Sequence, residues 1–210
     1  MSTLYSLATD GILLLAVAVA LPPVASARTE PGVLAAGAQV SCISALILVQ
    51  SWYTPERLAL LPPLLVVQYL IFQRAYPLVR RHSRHLREPK QRRGGAAMFV
   101  AGSLVTLAFL TPWWARLPTP ASSGGVLSSA ALAIAFLGLQ RLFGRVRLAG
   151  QAVGLMILAN SVLLLTVSAP DAWSDLVVFG LFIQLGACLL MAATVTRQLD
   201  RDPSTPGREP

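Results

Sequence analysis

The apolar run AGQAVGLMILANSVLLLTVSA, from Ala149 to Ala169, decides the fold of this chain. It contains no Lys, Arg, Asp or Glu, and the same is true of the later stretch 176–196. At 1.5 Å per residue, a helix of this length crosses the roughly 30 Å of hydrocarbon in a bilayer. Both stretches therefore predict transmembrane helices.

The composition of the whole chain agrees with that prediction. Of its 210 residues, 55% are hydrophobic and 12% are charged, and the mean hydropathy is +0.64. Soluble domains carry about 25% charged residues, and disordered chains are charge-rich and poor in apolar residues. The composition therefore excludes both classes and indicates an all-α, polytopic integral membrane protein.

Five further apolar blocks bring the number of expected transmembrane helices to seven. The expected spans are about 4–24, 33–52, 58–79, 95–114, 124–143, 149–169 and 176–196. They form one transmembrane helical domain over 1–199, with a basic inner loop at 80–94 and a mobile cytoplasmic tail at 200–210.

The first span is open to a second interpretation. Ala25-Ser26-Ala27 resembles a signal-peptidase site, but the stretch from Met1 to Asp10 has no positive charge, which a signal peptide requires. We expect a retained first helix, with a cleaved signal peptide as the alternative.

The charges give the orientation of these spans. The net charge is +8, and the basic residues bunch between apolar blocks, which favours membrane topology over nucleic-acid binding. Seven spans place fourteen of them on one side: Arg28, Arg80, Arg81, Arg84, Arg87, Lys90, Arg92, Arg93, Arg141, Arg145, Arg147, Arg197, Arg201 and Arg208. Only Arg57 and Arg116 lie on the other side, where Trp52, Trp113, Trp114 and Trp173 also fall. We therefore expect the N-terminus outside and the C-terminus inside.

Polar side chains inside the spans are the candidates for function, because a polar group in hydrocarbon is costly. The intramembrane candidates are Arg74, Gln151, Asn160 and Gln184. The amides either form interhelical hydrogen bonds or line a hydrated path. Arg74 either snorkels to the inner interface or faces inward, where it orders water or pairs with a carboxylate of a partner subunit.

Two further patterns concern helix packing. Gly150 and Gly154 are spaced for close helix contact, as are Gly180 and Gln184, and Gln184 is expected to form a hydrogen bond across that contact. Pro62-Pro63 and Pro77 should bend or break the third span, so that span is expected to lie against protein rather than lipid.

Catalytic chemistry has little support in this sequence. Asp10 is the one carboxylate within an expected span, and it is interpreted as an interfacial charge. Two histidines, His82 and His85, lie on the basic loop with no further ligand near them, and the two cysteines are isolated in apolar blocks. We expect no catalytic residue, no metal and no cofactor.

Several stretches resemble the hydrogenase-4 membrane component E family. The second-last helix of that family is similar to Gln151–Leu165 followed by Ala169-Pro170-Asp171. Its last helix and exit resemble Val177–Gly180, Gln184 and Thr196–Arg201, and its third helix ends like Tyr76–Arg81. The C-terminal helices of the family resemble subunit K of complex I. The resemblance implies a divergent membrane subunit of a complex-I-like assembly, beside antiporter-like subunits.

This chain departs from the family at its titratable positions. Ala159, Val178 and Gln184 stand where the family has acidic residues. The position of a family lysine falls near Phe72, or at Gln73 or Arg74 if the register is shifted. The resemblance therefore implies a scaffold and assembly subunit of a redox-driven, ion-translocating complex, in a bacterial or archaeal plasma membrane, that has lost the family's own carboxylates. The alternative is a small self-contained transporter.

Overall fold

The computed structural model describes residues 2–26, 28–51, 55–81, 94–110, 124–145, 147–168 and 173–200, and every element in these ranges is helical. The α-helices are α1 (Ser2–Ala25), α2 (Glu30–Ser51), α3 (Leu61–Tyr69), α4 (Tyr76–Arg81), α5 (Gly94–Leu110), α6 (Gly124–Gly144), α7 (Leu148–Ser168) and α8 (Trp173–Asp200). A 3₁₀ turn (Pro55–Leu60) precedes α3, and a π turn (Leu70–Ala75) joins α3 to α4.

The all-α, multi-pass membrane fold is confirmed. Six helical segments are long and apolar enough to cross a bilayer, and Gly95–Leu110 is an apolar but shorter segment. The expected fourth span continued to residue 114, but 111–123 lie outside the described residues. The same holds for Trp52, His82, His85, the basic loop at 82–93 and the tail from 201 onward.

Side-chain contacts give the direction of the third span relative to α2. Gln68 on α3 bonds to Ser41 on α2, and Tyr76 on α4 bonds to Glu30 at the start of α2, so the third span runs antiparallel to α2. The end of the bundle that carries Val24, Glu30, Arg81, Arg145 and Arg197 is called the basic end below.

The closest helix contact joins α6 and α7. A Cβ atom added at Gly154 would lie 2.6 Å from the backbone nitrogen of Leu142, and one added at Gly138 would lie 2.8 Å from that of Leu158. Only glycine lets two backbones approach this closely. The expected packing role of Gly154 is therefore present, with Gly138 as its counterpart on α6.

The helices differ in the share of their residues that other parts of this chain bury. In Leu148–Leu165, 67% of the most apolar stretch is buried, compared with 33% in Val178–Arg197 and 22% in Leu58–Arg81. The third span is thus the least covered of the six long segments. The expectation that it lies against protein is not met by contacts within this chain.

The π turn is where the third span departs from a regular helix. The N–H of Tyr76 donates to the carbonyl of Ile71, five residues back, and Pro77 has no N–H to donate. Pro62 and Pro63 lie in the first turn of α3, where a missing N–H costs little. They begin a helix, and the irregular turn is at Leu70–Ala75.

Candidate functional site

Asn160 and Gln39 form the centre of the polar interior. The Nδ2 group of Asn160 on α7 donates to the carbonyl of Ala36 at 3.0 Å and to Oε1 of Gln39 at 3.1 Å, both on α2. The Nε2 group of Gln39 then donates to the carbonyl of Ala16 on α1 at 3.2 Å. Both amide side chains are fully buried. This chain of hydrogen bonds links three helices near the middle of their length.

Gln184 on α8 lies at the same depth as Asn160. One turn earlier on α8, a Cβ atom added at Gly180 would lie 3.0 Å from Leu163 on the antiparallel α7. One turn further along α8 therefore corresponds to about one turn back along α7, which is the level of Asn160. We call Gln39, Asn160 and Gln184 the amide layer.

The hydrogen bonding of Gln184 differs from the expectation. Its side chain is fully buried, yet neither Nε2 nor Oε1 has a hydrogen-bond partner among the described residues, and the same is true of Oδ1 of Asn160. Gln184 therefore does not form the expected bond across the α7–α8 contact. Gly180 does pack there, against Leu163 and Val162.

Gln151, the third amide candidate, lies away from the amide layer. It is half-buried near the start of α7, and its Nε2 group donates to the backbone carbonyl of Arg145 at 3.1 Å. This bond closes the short turn between α6 and α7 at the basic end. The structure thus gives Gln151 a local role in that turn.

Arg74 points out of the bundle rather than into it. It lies in the π turn and is exposed, as is the neighbouring Gln73, and it forms no hydrogen bond or ion pair with any described residue. Its side chain therefore does not face the interior of this chain, and snorkelling to the inner interface and pairing with a carboxylate of a partner subunit both stay predictions. Arg74 lies about 10 Å above Arg81, at 1.5 Å per residue, so its backbone is inside the depth of the hydrocarbon.

Two buried arginines at the basic end are the residues that sequence reasoning missed. Arg145 donates to the carbonyls of Val24 at 3.1 Å, Pro23 at 3.4 Å and Ser26, and Arg141 donates to the carbonyl of Arg28 at 3.2 Å. The sequence predicts both as inner-loop charges, but the structure buries them. Arg141 is 2% exposed and Arg145 is 6% exposed.

The Arg145 contact has a clear electrostatic cause. The last carbonyls of a helix lack hydrogen-bond donors within the helix and carry the negative end of its dipole. A guanidinium placed there donates hydrogen bonds to these carbonyls and its positive charge is attracted by the dipole. No local pattern in the sequence signals this contact, because its acceptors are the last carbonyls of α1, 119–122 residues before Arg145.

Titratable groups are sparse near the amide layer. Asp10 is half-buried in α1, and Glu30, at the first turn of α2, accepts a 3.3 Å bond from the hydroxyl of Tyr76. Cys42 and Cys188 are partly buried free thiols. Within the described ranges, no three His, Cys, Asp or Glu side chains are grouped so that they could hold a metal ion.

The four candidates therefore lie in three places. Asn160 and Gln184 are in the amide layer, Gln151 is at the basic end, and Arg74 is on the exposed surface of the helix bundle. Phe72 packs toward Gly37, Ala159 is fully buried, and Val178 is 49% exposed.

Comparison with family models, with curated proteins and with solved structures finds no match to this chain.

Proposed function

We propose that this chain is a non-catalytic subunit of a complex-I-like, redox-driven ion-translocating complex in a bacterial or archaeal plasma membrane. It provides scaffold and assembly contacts beside antiporter-like subunits. The single observation that carries the proposal is the exposure of Arg74, a charged side chain on the surface of a membrane-spanning helix that faces away from the bundle.

An outward charge at this depth favours a protein neighbour over lipid. Arg74 lies seven residues from the end of its span, and arginines within a span usually face protein or water. Val66, Tyr69 and Gln73 are spaced for one helical face, and all are exposed beside Arg74. We call these four residues the Arg74 face. A carboxylate on a partner helix would neutralise the guanidinium in a bidentate pair.

The low coverage of the third span supports the same proposal. A helix with a π turn and a proline has backbone carbonyls that need partners, and lipid tails offer none. Because this chain buries only 22% of the most apolar stretch of Leu58–Arg81, a partner subunit is the natural cover for the remainder.

The amide layer fits a subunit that does not itself carry protons. Its members Gln39, Asn160 and Gln184 donate and accept hydrogen bonds but do not titrate in the physiological range. The resemblance to the hydrogenase-4 component E family, whose acidic positions are Ala159, Val178 and Gln184 here, supports a scaffold role in the same way.

The test is to purify the tagged chain from its native membrane in mild detergent and identify what accompanies it by mass spectrometry. The unmodified chain should bring larger antiporter-like and redox subunits. Arg74→Gln should lower their recovery several-fold, because the interfacial ion pair is lost. Arg81→Gln is the matched control, since Arg81 is exposed at the basic end where water and headgroups solvate it.

Two results would contradict the proposal. Full recovery of partners with Arg74→Gln would remove the role of the Arg74 face. Recovery of the unmodified chain with only copies of itself would favour a self-contained transporter, which ion or solute flux into liposomes containing the chain alone would then establish.

A further inference from the structure

We propose that the connection between α1 and α2 binds the headgroup of an anionic phospholipid, with Arg28 as the residue that contacts the phosphate. Arg28 is exposed, and its guanidinium forms no hydrogen bond or ion pair with any described residue. This inference goes beyond the proposed function and does not depend on it.

Arg28 lies at the depth of the lipid headgroups. The apolar stretch Tyr5–Ala25 has 21 residues, which at 1.5 Å per residue is enough to cross the roughly 30 Å of hydrocarbon. Arg28 follows three residues after the end of that stretch, at the basic end of the bundle. The charge distribution predicts that this end faces the cytoplasm, where anionic lipids give the leaflet a negative surface potential.

The backbone of the connection turns its carbonyl oxygens away from the lipid surface. Arg141 donates from Nη2 to the carbonyl of Arg28 at 3.2 Å. Arg145 donates from Nη2 to the carbonyl of Val24 at 3.1 Å and to that of Ser26. Both donors are almost fully buried, so these three carbonyl oxygens point into the bundle. An anion outside the connection therefore meets the side chain of Arg28 rather than a row of carbonyl oxygens.

The neighbouring carboxylate does not neutralise this arginine. Glu30 accepts a 3.3 Å hydrogen bond from the hydroxyl of Tyr76 on α4, and it forms no ion pair with Arg28. A phosphate group offers a planar guanidinium two oxygens in a bidentate pair. The charge of Arg28 is therefore complementary to a phospholipid headgroup.

An uncovered stripe of α1 leads to Arg28 within the membrane. Ala18, Pro22 and Ala25 are spaced for one face of α1, and all three are exposed. This chain buries only 39% of the most apolar stretch of that helix. An acyl chain that lies along the stripe places its phosphate at the level of Arg28. A soluble phosphate would gain nothing from the stripe, so the structure favours a lipid.

The test uses the full-length protein in liposomes that contain a photoreactive phosphatidylglycerol, with the crosslinks located by mass spectrometry. We expect crosslinks within residues 22–34, which excess phosphatidylglycerol should suppress and excess phosphatidylcholine should not. Arg28→Gln should lower the yield in this segment about fivefold, the factor that corresponds to the loss of one basic residue near an anionic lipid surface. Arg28→Lys keeps the charge and should retain most of the yield.

Arg197→Gln is the matched control, because it removes the same charge from an exposed position at the same end of the bundle, on α8. It should leave the crosslinks within 22–34 unchanged, and an equal loss would show a general effect of surface charge and overturn the proposal. An unchanged yield in Arg28→Gln would overturn it too. Suppression by inorganic phosphate would assign Arg28 to a soluble anion and also contradict the lipid. Competition in the unmodified protein decides the question even if Arg28→Gln fails to fold.

Discussion

Arg145 joins the end of α1 to the turn after α6. Its guanidinium satisfies carbonyls of Pro23, Val24 and Ser26 at the end of α1 while being almost fully buried on the turn after α6. All three hydrogen bonds come from one terminal nitrogen, Nη2.

Replacing Arg145 with methionine should lower the free energy of unfolding by about 2–3 kcal/mol, since hydrogen bonds to charged groups contribute about 1.5–3 kcal/mol. Arg145→Lys should lose part of this, because lysine replaces the planar guanidinium by a compact charge on a flexible stem. Denaturant unfolding in mixed micelles measures both. Arg197→Met, at an exposed position on α8, is the control, and equal losses for the two methionine variants would contradict the capping role.

The sequence predicted Asn160 and Gln184 as buried polar residues because their surroundings are apolar, and both are fully buried. It could not predict the partners of Asn160, because the bonds to Ala36 and Gln39 join residues 124 and 121 positions apart. The sequence also predicted Arg141 and Arg145 as loop charges. An arginine that bonds to distant carbonyls has the same kind of neighbouring residues in the sequence as an arginine exposed to water.

At the scale of elements, the α6–α7 hairpin is the most tightly constrained contact. Gly154→Ala should destabilise the protein by about 1–3 kcal/mol, because the new methyl group would lie against the backbone of Leu142 and force the helices apart. Thermal unfolding in detergent measures the change.

Gly186→Ala is the matched control for that variant. No atom lies within 4 Å of the corresponding Cβ position at Gly186, so the substitution should be neutral or raise stability by up to about 1 kcal/mol through helix propensity. If Gly154→Ala behaved like Gly186→Ala, close backbone packing would not be what holds α6 and α7 together.

The elements themselves could be predicted well, and their irregularities could not. Hydropathy gave the spans because a bilayer requires long apolar helices, although α2 begins at Glu30 rather than 33 and α8 continues to Asp200 rather than 196. The prolines suggested a break in the third span, but no local pattern placed the π turn at Leu70–Ala75, which packs against α2 and α8.

At the scale of the whole molecule, the orientation in the membrane remains a prediction from charge. Burial of Arg141 and Arg145 removes two charges from the count, but Arg80, Arg81 and Arg197 stay exposed at the basic end. A fluorescent protein fused after Asp200 should fluoresce in the cytoplasm, and alkaline phosphatase fused after Leu110 should be active outside. The opposite pair of signals would show that the bundle is inverted.

The Arg145 contact also sets an order on how the protein is made. The donor to the carbonyl of Val24 lies 121 residues later in the chain. At a synthesis rate of roughly 5–20 residues per second, about 6–24 s pass between the synthesis of the two residues. During that interval the first two helices are already in the membrane with the end of α1 uncapped. A chain released before Arg145 is synthesised would therefore leave the last carbonyls of α1 without this donor.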